Sequence, residues 1–210
     1  MIEAGRHGRE RLAWIILFGG LFACLFFTVS VPIGVNAFIQ NATRSLTAQV
    51  QANQGTVGID AITGQRRAVL TGEPAQSVEE ETTILTDTTA SALVTVTPPD
   101  SDEMLTTMQI ASNTTVQLNE ATAPRFSWSG QPYQMALDLQ SGRVRLDVPA
   151  IQSRPVEIAL TTPQSEVSIR EPGRYTVDVT NDATQVTVQE SGVASIFAND
   201  GELLLTGTAR

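Results

Sequence analysis

The sequence predicts an all-β domain that follows one N-terminal transmembrane helix. Two observations lead to this prediction. An uncharged apolar run extends from Leu12 to Ile39, and beyond it apolar and polar residues alternate in short runs separated by turn residues. A third observation concerns what holds the domain together. The single cysteine, Cys24, and the single histidine, His7, both precede the alternating pattern, so we expect no disulfide and no Cys/His metal site in the domain.

The apolar run is long enough to cross a bilayer. No charged residue lies between Arg11 and Arg44, and a helix of about 20 apolar residues spans the hydrocarbon core. Arg6 and Arg9 also precede the run, and such positive residues stay on the cytoplasmic side. Trp14 stands where an interfacial aromatic residue is expected. We therefore predict a short cytoplasmic segment over residues 1–11, a transmembrane signal anchor over 12–39, a linker over 40–46 and an extracytoplasmic β domain over 47–210.

Three alternatives to a permanent span remain open. A signal peptidase could cleave after "VNA" at 35–37, although the apolar run exceeds the 7–15 residues typical of a cleaved signal. A lipoprotein signal could end at Cys24, although Phe22 is bulky for such a site and the following residues stay apolar. A buried helix of a soluble core is the third alternative, and the length and charge asymmetry of the run argue against it. The pattern favours the anchor.

From Leu46 onward the hydrophobic period is two residues, which is typical of half-buried strands. Strands at this short spacing, with no 3.6-residue period after residue 40, predict an all-β domain of roughly a dozen strands or slightly more. The "EPGR" segment at 171–174 predicts a type II turn, in which Pro172 presets the first central angle and Gly173 takes a positive φ. The other predicted turns are "SG" at 141–142, "TND" at 180–182, "ESG" at 190–192 and "NDG" at 199–201.

Few residues of the β domain could support catalysis. It has no histidine or cysteine, and the chain has no lysine, which removes Ser–His, Cys–His and Schiff-base mechanisms. The net charge of −9 argues against nucleic-acid binding, which needs a basic face. Asp100, Asp102 and Glu103 supply only part of a calcium-site pattern, so we expect residues 98–105 to be a solvated loop. We predict no enzyme activity, no cofactor, no metal and no catalytic or binding site residue that can be named.

An aromatic cluster gives one candidate ligand groove. Phe126, Trp128 and Tyr133 lie close together in the sequence, and aromatic faces bind carbohydrates and peptides. The spacing of two between Phe126 and Trp128 would also place both on one side of a strand. We expect that side to face the core.

The segment "ALDLQSGRVRLDVP", followed by "VEIALTTPQSEVSIREPGRYTVDVTNDATQVTVQESGVASI", resembles the FecR-like domain. Upstream, "GEPAQSVEEETTILTDTTASALVTV" and "IASNTTVQLNEAT" resemble earlier parts of that domain, so the resemblance covers roughly residues 47–206. It implies a single-pass protein of the bacterial envelope with a non-enzymatic, extracytoplasmic β domain. The implied fold is a β-solenoid-like roll, with a β-sandwich as the alternative.

The resemblance also sets the functional expectations. Family members typically carry a cytoplasmic helical module that acts on a sigma factor, whereas only eleven residues precede the apolar run, so sigma-factor binding by this chain is not expected. We expect a periplasmic or other extracytoplasmic domain that binds an envelope protein or surface ligand and relays an envelope signal. The alternative is a structural or assembly subunit of a membrane or surface complex, and a glycan-acting enzyme is the least supported.

Overall fold

The computed structural model describes residues 4–101, 103–150, 153–190, 192–198 and 201–207. Asp102, Ser191, Asn199 and Asp200, which belong to the predicted loop and turns, lie outside the described residues. The described residues form two compact units. The first contains the N-terminal helix and the loop Arg125–Gln131, and the second contains residues 43–124 and the chain after residue 131.

The helix of the first unit, α1, extends from Ala4 to Asn41, beyond both ends of the predicted span. Its segment Trp14–Asn41 is long and apolar enough to cross a membrane, and the most apolar 18-residue window of the segment has a mean hydropathy of 2.3. None of this segment's most apolar window is buried by the rest of the chain. A helix in the core of a soluble domain would be buried, so that alternative does not describe α1. Cys24 lies within the helix, and its carbonyl oxygen accepts a 2.7 Å hydrogen bond from Thr28 Oγ1.

The second unit is all-β, as the sequence predicts. Sixteen strands lie in its described residues: β1 (Thr43–Ser45), β2 (Thr47–Gln54), β3 (Thr56–Asp60), β4 (Arg66–Leu70), β5 (Gln76–Val78), β6 (Thr82–Thr86), β7 (Ser91–Thr97), β8 (Thr106–Ile110), β9 (Thr115–Pro124), β10 (Tyr133–Val148), β11 (Val156–Thr161), β12 (Ser165–Ile169), β13 (Gly173–Val179), β14 (Thr184–Gln189), β15 (Val193–Ala198) and β16 (Gly201–Thr206).

The strands form a nearly closed sheet in two halves. The first half contains β1, β3, β4, β6, β9, β11, β12, β15 and β16, and the second contains β2, β5, β7, β8, β13 and β14. Strand β10 belongs to both, because its beginning pairs with β9 and β11 while its end pairs with β8 and β13. The described pairs are antiparallel except β10 with β11.

The period of two places one face of each central strand in a common core. In β13, Tyr175, Val177 and Val179 are buried and the residues between them are half-buried. Both sheet halves contribute large, fully buried side chains to the one cluster, including Val50, Ile84, Ile110, Leu137, Leu139, Leu146, Ile158, Leu160 and Ile169. The apolar positions of the sequence pattern therefore face the core, and the positions between them face outward.

The predicted turn at Ser141–Gly142 is wrong. Both residues lie inside β10, which continues from one sheet half into the other. Gly142 has φ +90°, which only glycine adopts readily, so the strand bends there without reversing. Two buried threonines satisfy the backbone beside the bend. Arg143 N donates to Thr114 Oγ1 at 3.0 Å, and Thr114 N donates to Thr86 Oγ1 at 3.0 Å.

The other described turns match the prediction in part. The "TND" turn joins β13 to β14, where Thr180 N donates to the Ala183 carbonyl oxygen at 2.9 Å. Gly173 begins β13 with φ +156°, far more extended than the +80° or so of a type II turn. The "EPGR" segment is therefore a bend leading into a strand, and the type II turn predicted there is wrong.

We expect Gly142→Ala to destabilise the β unit strongly. A Cβ at this position would lie 2.6 Å from the Asn113 carbonyl oxygen and 2.6 Å from Thr114 Cα, and backbone atoms cannot yield without moving a strand. The expected loss is more than about 2 kcal/mol of unfolding free energy, which lowers Tm by about 2–4 °C per kcal/mol in a domain of this size. Thermal unfolding of the full chain in mild detergent, followed by circular dichroism, measures it.

Gly64→Ala is the matched control. Gly64 also has positive φ, +76°, but a Cβ there would meet nothing within 4 Å. It should lose only about 1 kcal/mol, the strain of the left-handed backbone itself. Equal losses at the two positions would show that the close approach at the β10 bend does not matter.

Candidate functional site

Two arginines of the second sheet half, Arg143 and Arg174, form ion pairs with nearby carboxylates. Arg143 Nε donates to Asp178 Oδ2 at 2.9 Å. Arg174 binds Asp147 Oδ2 at 3.1 Å and Glu190 Oε1 at 2.6 Å. Each such exposed pair contributes about 0.2–1 kcal/mol. These arginines already have carboxylate partners, so this face does not offer them as an anion-binding site.

The two acidic residues of the predicted loop that the structure describes, Asp100 and Glu103, have different partners. Asp100 forms an ion pair with Arg44. Glu103 instead accepts hydrogen bonds from Ser153 N at 2.6 Å and Ser153 Oγ at 2.7 Å. Among the described residues no group of three or more His, Cys, Asp or Glu side chains is placed to hold a metal ion. The carboxylates of Asp100 and Glu103 attach the loop to neighbouring segments.

Two titratable groups have shifted pKa values, and each has a structural cause. Hydrogen bonds from Thr89 N and Thr89 Oγ1 to Asp87 Oδ1, at 2.8 and 3.0 Å, lower the pKa of Asp87, with a smaller effect from Ala90 N. This carboxylate closes the turn between β6 and β7 on its own backbone. Burial raises the pKa of Tyr175. Both groups are held by backbone contacts, which give each shift a structural explanation.

The Tyr175 hydroxyl connects the two sheet halves. It donates to the Glu171 carbonyl oxygen at 2.6 Å and accepts from Val193 N, at the start of β15, at 3.1 Å. A side chain at Gly192 would collide with this hydroxyl, since its Cβ would lie 2.7 Å from the oxygen. Tyr175 is fully buried and acts as an internal tie.

The surface depressions are lined by ordinary strand and loop residues. One of about 350 Å³ lies beside Arg154, Arg170 and Glu171, and another of about 240 Å³ lies beside Arg67 and Glu79. Arg170 already binds Glu157 Oε1 at 2.7 Å.

The prediction that Phe126 and Trp128 face the core is wrong. Both lie in the loop Arg125–Gln131, which belongs to the helix-containing unit. Trp128 is 68% exposed and stacks on Phe126 with ring centroids 5.4 Å apart. Phe126 in turn meets Phe38 of α1 edge to face at 6.3 Å. Tyr133 begins β10 in the other unit, and its hydroxyl shares a 3.4 Å hydrogen bond with Ser153 Oγ.

Five strands, β1, β4, β5, β14 and β16, each pair with a single neighbour among the described strands and so keep an unpaired edge. Among the described strands β16 pairs only with β15, and β14 pairs only with β13. The chain after β16 approaches the end of β14, since a Cβ added at Gly207 would lie 3.0 Å from the Gln189 carbonyl carbon. Leu203 and Leu204 of β16 are 58% and 60% exposed. Exposed apolar edge strands are ready templates for another chain, which makes β16 the candidate recognition site.

The open edge of β16 was not predicted from the sequence. The signal was present in "ELLLT", where three successive leucines break the alternation. In a strand, three successive apolar residues must expose at least one of their side chains unless both faces are covered.

Comparisons with known proteins identify the β unit. The family profile described as "FecR protein" matches residues 83–194, slightly more than half of the chain. No protein with a curated description matches. A solved structure of a "putative anti-sigma factor" from Parabacteroides distasonis is 15% identical, with a TM-score of 0.41, over 60% of this chain and 51% of that one. Another with the same description and source is 17% identical, with a TM-score of 0.35, over 54% and 46%. The chain thus spans about half the length of these two structures.

We expect Tyr175→Phe to weaken the fold and to change its response to alkali. Loss of the hydroxyl leaves a backbone N–H and C=O without their partner, an expected loss of about 1–3 kcal/mol at neutral pH. In the wild type, burial raises the folded-state pKa of Tyr175 above its unfolded value of about 10. The stabilisation is therefore complete below pH 10 or so and falls as pH rises toward the folded pKa.

Denaturant unfolding between neutral and strongly alkaline pH tests this expectation. The chain has no lysine, so few other groups titrate in that range. Tyr175→Phe should lose less unfolding free energy than the wild type as pH rises. Val177→Ala, a core variant of the same strand that keeps the hydroxyl, should retain the wild-type slope. Parallel slopes for the wild type and Tyr175→Phe would exclude the assigned role.

Proposed function

The chain belongs to the FecR protein family, and from that premise we propose that it is a single-pass bacterial envelope protein. In this proposal α1 anchors the chain in the cytoplasmic membrane. The β unit lies on the extracytoplasmic side, binds another protein and takes part in envelope signalling without catalysis. The observation that carries the proposal is the combination of a FecR domain with an uncovered apolar helix in one chain.

The apolar surface of α1 supports the membrane assignment. Ile15, Phe22 and Phe26 are each well over half exposed, and similar side chains surround the helix on every side. A helix that is apolar all round is stable only when something apolar surrounds it. At about 1.5 Å per residue the segment Trp14–Asn41 is ~42 Å long, more than the ~30 Å of a hydrocarbon core.

The arginine distribution supports the sidedness. Arg6, Arg9 and Arg11 precede the uncharged run, and Arg44 alone follows it closely. Arginines near the membrane are retained in the cytoplasm, so the β unit would lie outside. The alternatives to a permanent anchor are cleavage after residue 37 and lipidation at Cys24. Each of them would change the mass of the mature chain.

The unpaired edge of β16 supports protein binding. Natural edge strands are commonly protected by proline, by charge or by a covering loop. Strand β16 has Glu202 as its one charged residue, and Leu203 and Leu204 are exposed on opposite faces. An extended segment of a partner could add to this edge through backbone hydrogen bonds and cover the leucines. We propose this mode of binding for the β unit.

Single-cysteine labelling tests the topology. Cys24→Ser removes the only cysteine, after which Thr187→Cys places one on the exposed face of β14 and Ala4→Cys places one before the apolar run. In right-side-out membrane vesicles, a membrane-impermeant maleimide should label Thr187→Cys at once and Ala4→Cys only after detergent is added. The reverse pattern, or a chain that alkaline washing releases and whose mass begins near Phe38, would refute the proposed topology.

Photo-crosslinking in native membranes tests the recognition edge. A photoreactive phenylalanine analogue at Leu204 should form an adduct with a second protein, whereas the same analogue at Gln51, exposed on β2, should not. Leu203→Glu should reduce the adduct severalfold, while its effect on stability should stay within about 0.5 kcal/mol because the side chain is exposed. Equal adducts at both positions would contradict the assignment of β16. A partner recovered in fixed stoichiometry would favour an assembly subunit over signalling.

A further inference from the structure

The loop Arg125–Gln131 is attached to the carboxyl end of α1 by several contacts. Arg125 N donates to the Ala42 carbonyl oxygen at 2.9 Å, and Ser129 Oγ donates to the Gln40 carbonyl oxygen at 3.3 Å. Phe126 meets Phe38 at 6.3 Å. These contacts satisfy carbonyl groups at the end of the helix, which have no partner within it. They also hold the stacked pair of Phe126 and Trp128 beside the last turn.

This arrangement leaves apolar aromatic surface uncovered. Trp128 is 68% exposed and Phe38 is 61% exposed, although a tryptophan ring is usually well buried in a soluble fold. The exposed rings are continuous, through Phe38, with the exposed apolar surface of α1. An apolar environment that surrounds the helix would therefore surround these aromatic rings of the loop as well.

A second aromatic pair lies near the other end of the same helix. Trp14 stacks on Phe18 with centroids 5.4 Å apart. Trp14 and Phe38 are separated by ~36 Å along a helix that rises about 1.5 Å per residue. That separation falls between the ~30 Å hydrocarbon core and the ~40–45 Å that includes both headgroup regions. Each pair would thus lie at one membrane–water boundary, where tryptophan is enriched.

We propose that the loop Arg125–Gln131 is a second membrane-contacting element, with Phe126 and Trp128 at the boundary between headgroups and acyl chains in the leaflet that receives the carboxyl end of α1. This inference rests on the proposed function, in which α1 spans the bilayer. The occupant of the aromatic surface is lipid. Exposed Arg125, next to the aromatic pair, adds a cation that suits lipid phosphate groups.

Tryptophan fluorescence of the full chain in lipid nanodiscs tests the proposal. The chain has two tryptophans, so Trp14→Phe leaves Trp128 as the sole reporter and Trp128→Phe leaves Trp14. Lipids brominated near the headgroup end of their acyl chains should quench Trp128 at least twofold more than lipids brominated near the chain terminus. A soluble quencher should act on Trp128 at least twofold less in nanodiscs than after transfer to denaturant.

A third single-tryptophan protein is the matched control. It carries both phenylalanine substitutions together with Gln51→Trp, which places the reporter on the exposed face of β2. Brominated lipid should leave this reporter unchanged. If it is quenched as strongly as Trp128, or if Trp14 is quenched and Trp128 is not, the loop has no specific lipid contact and the inference is wrong.

The same measurements separate this inference from the proposed function. Quenching of Trp14 alone leaves α1 in the bilayer and overturns only the loop assignment. If brominated lipid quenches neither Trp14 nor Trp128, α1 does not span the membrane and the proposed function fails as well. Quenching of both with no quenching of the β2 reporter supports the two together.

Discussion

The structure of the β unit depends on one strand that belongs to both halves of the sheet. Strand β10 pairs with β9 and β11 through its first part and with β8 and β13 through its second. It can do so because Gly142 bends it at a positive φ, and because Thr114 and Thr86 satisfy backbone groups that the bend would leave unpaired. Buried backbone polar groups must find partners. The bend therefore depends on these hydrogen bonds as well as on the absence of a side chain at Gly142.

Several polar side chains of the β unit bind other groups of the same unit. Arg143 and Arg174 are bound by carboxylates on neighbouring strands, the Tyr175 hydroxyl ties two segments together, and Asp87 closes a turn. Side chains committed in this way hold a sheet in register. Two exposed features are apolar instead, namely the open edge of β16 and the rings beside α1. Both suit association with another molecule.

The sequence predicted the fold class because the period of two is imposed by burial on one face. Where a strand is regular and only one of its faces is covered, the alternating apolar residues are the core, as with Val144, Leu146 and Val148. The strand pairing was not predictable, because each pairing partner of β10 contributes the same kind of apolar residue. The continuity of β10 was missed for a related reason. A Ser–Gly step suits a tight turn and a bend equally, and only the tertiary register decides between them.

The aromatic loop shows where pattern reading fails in physical terms. Phe126 and Trp128 satisfy the period of two, yet "PRFSWSGQP" has a proline at each end and a glycine within, a composition that interrupts strands. Two positions are too few for a period to outweigh that local evidence. The apolar surface of α1, next to this loop, explains why the aromatic pair is exposed. An aromatic pair excluded from the protein core needs another apolar environment, and in this chain the nearest one is the environment that the helix itself requires.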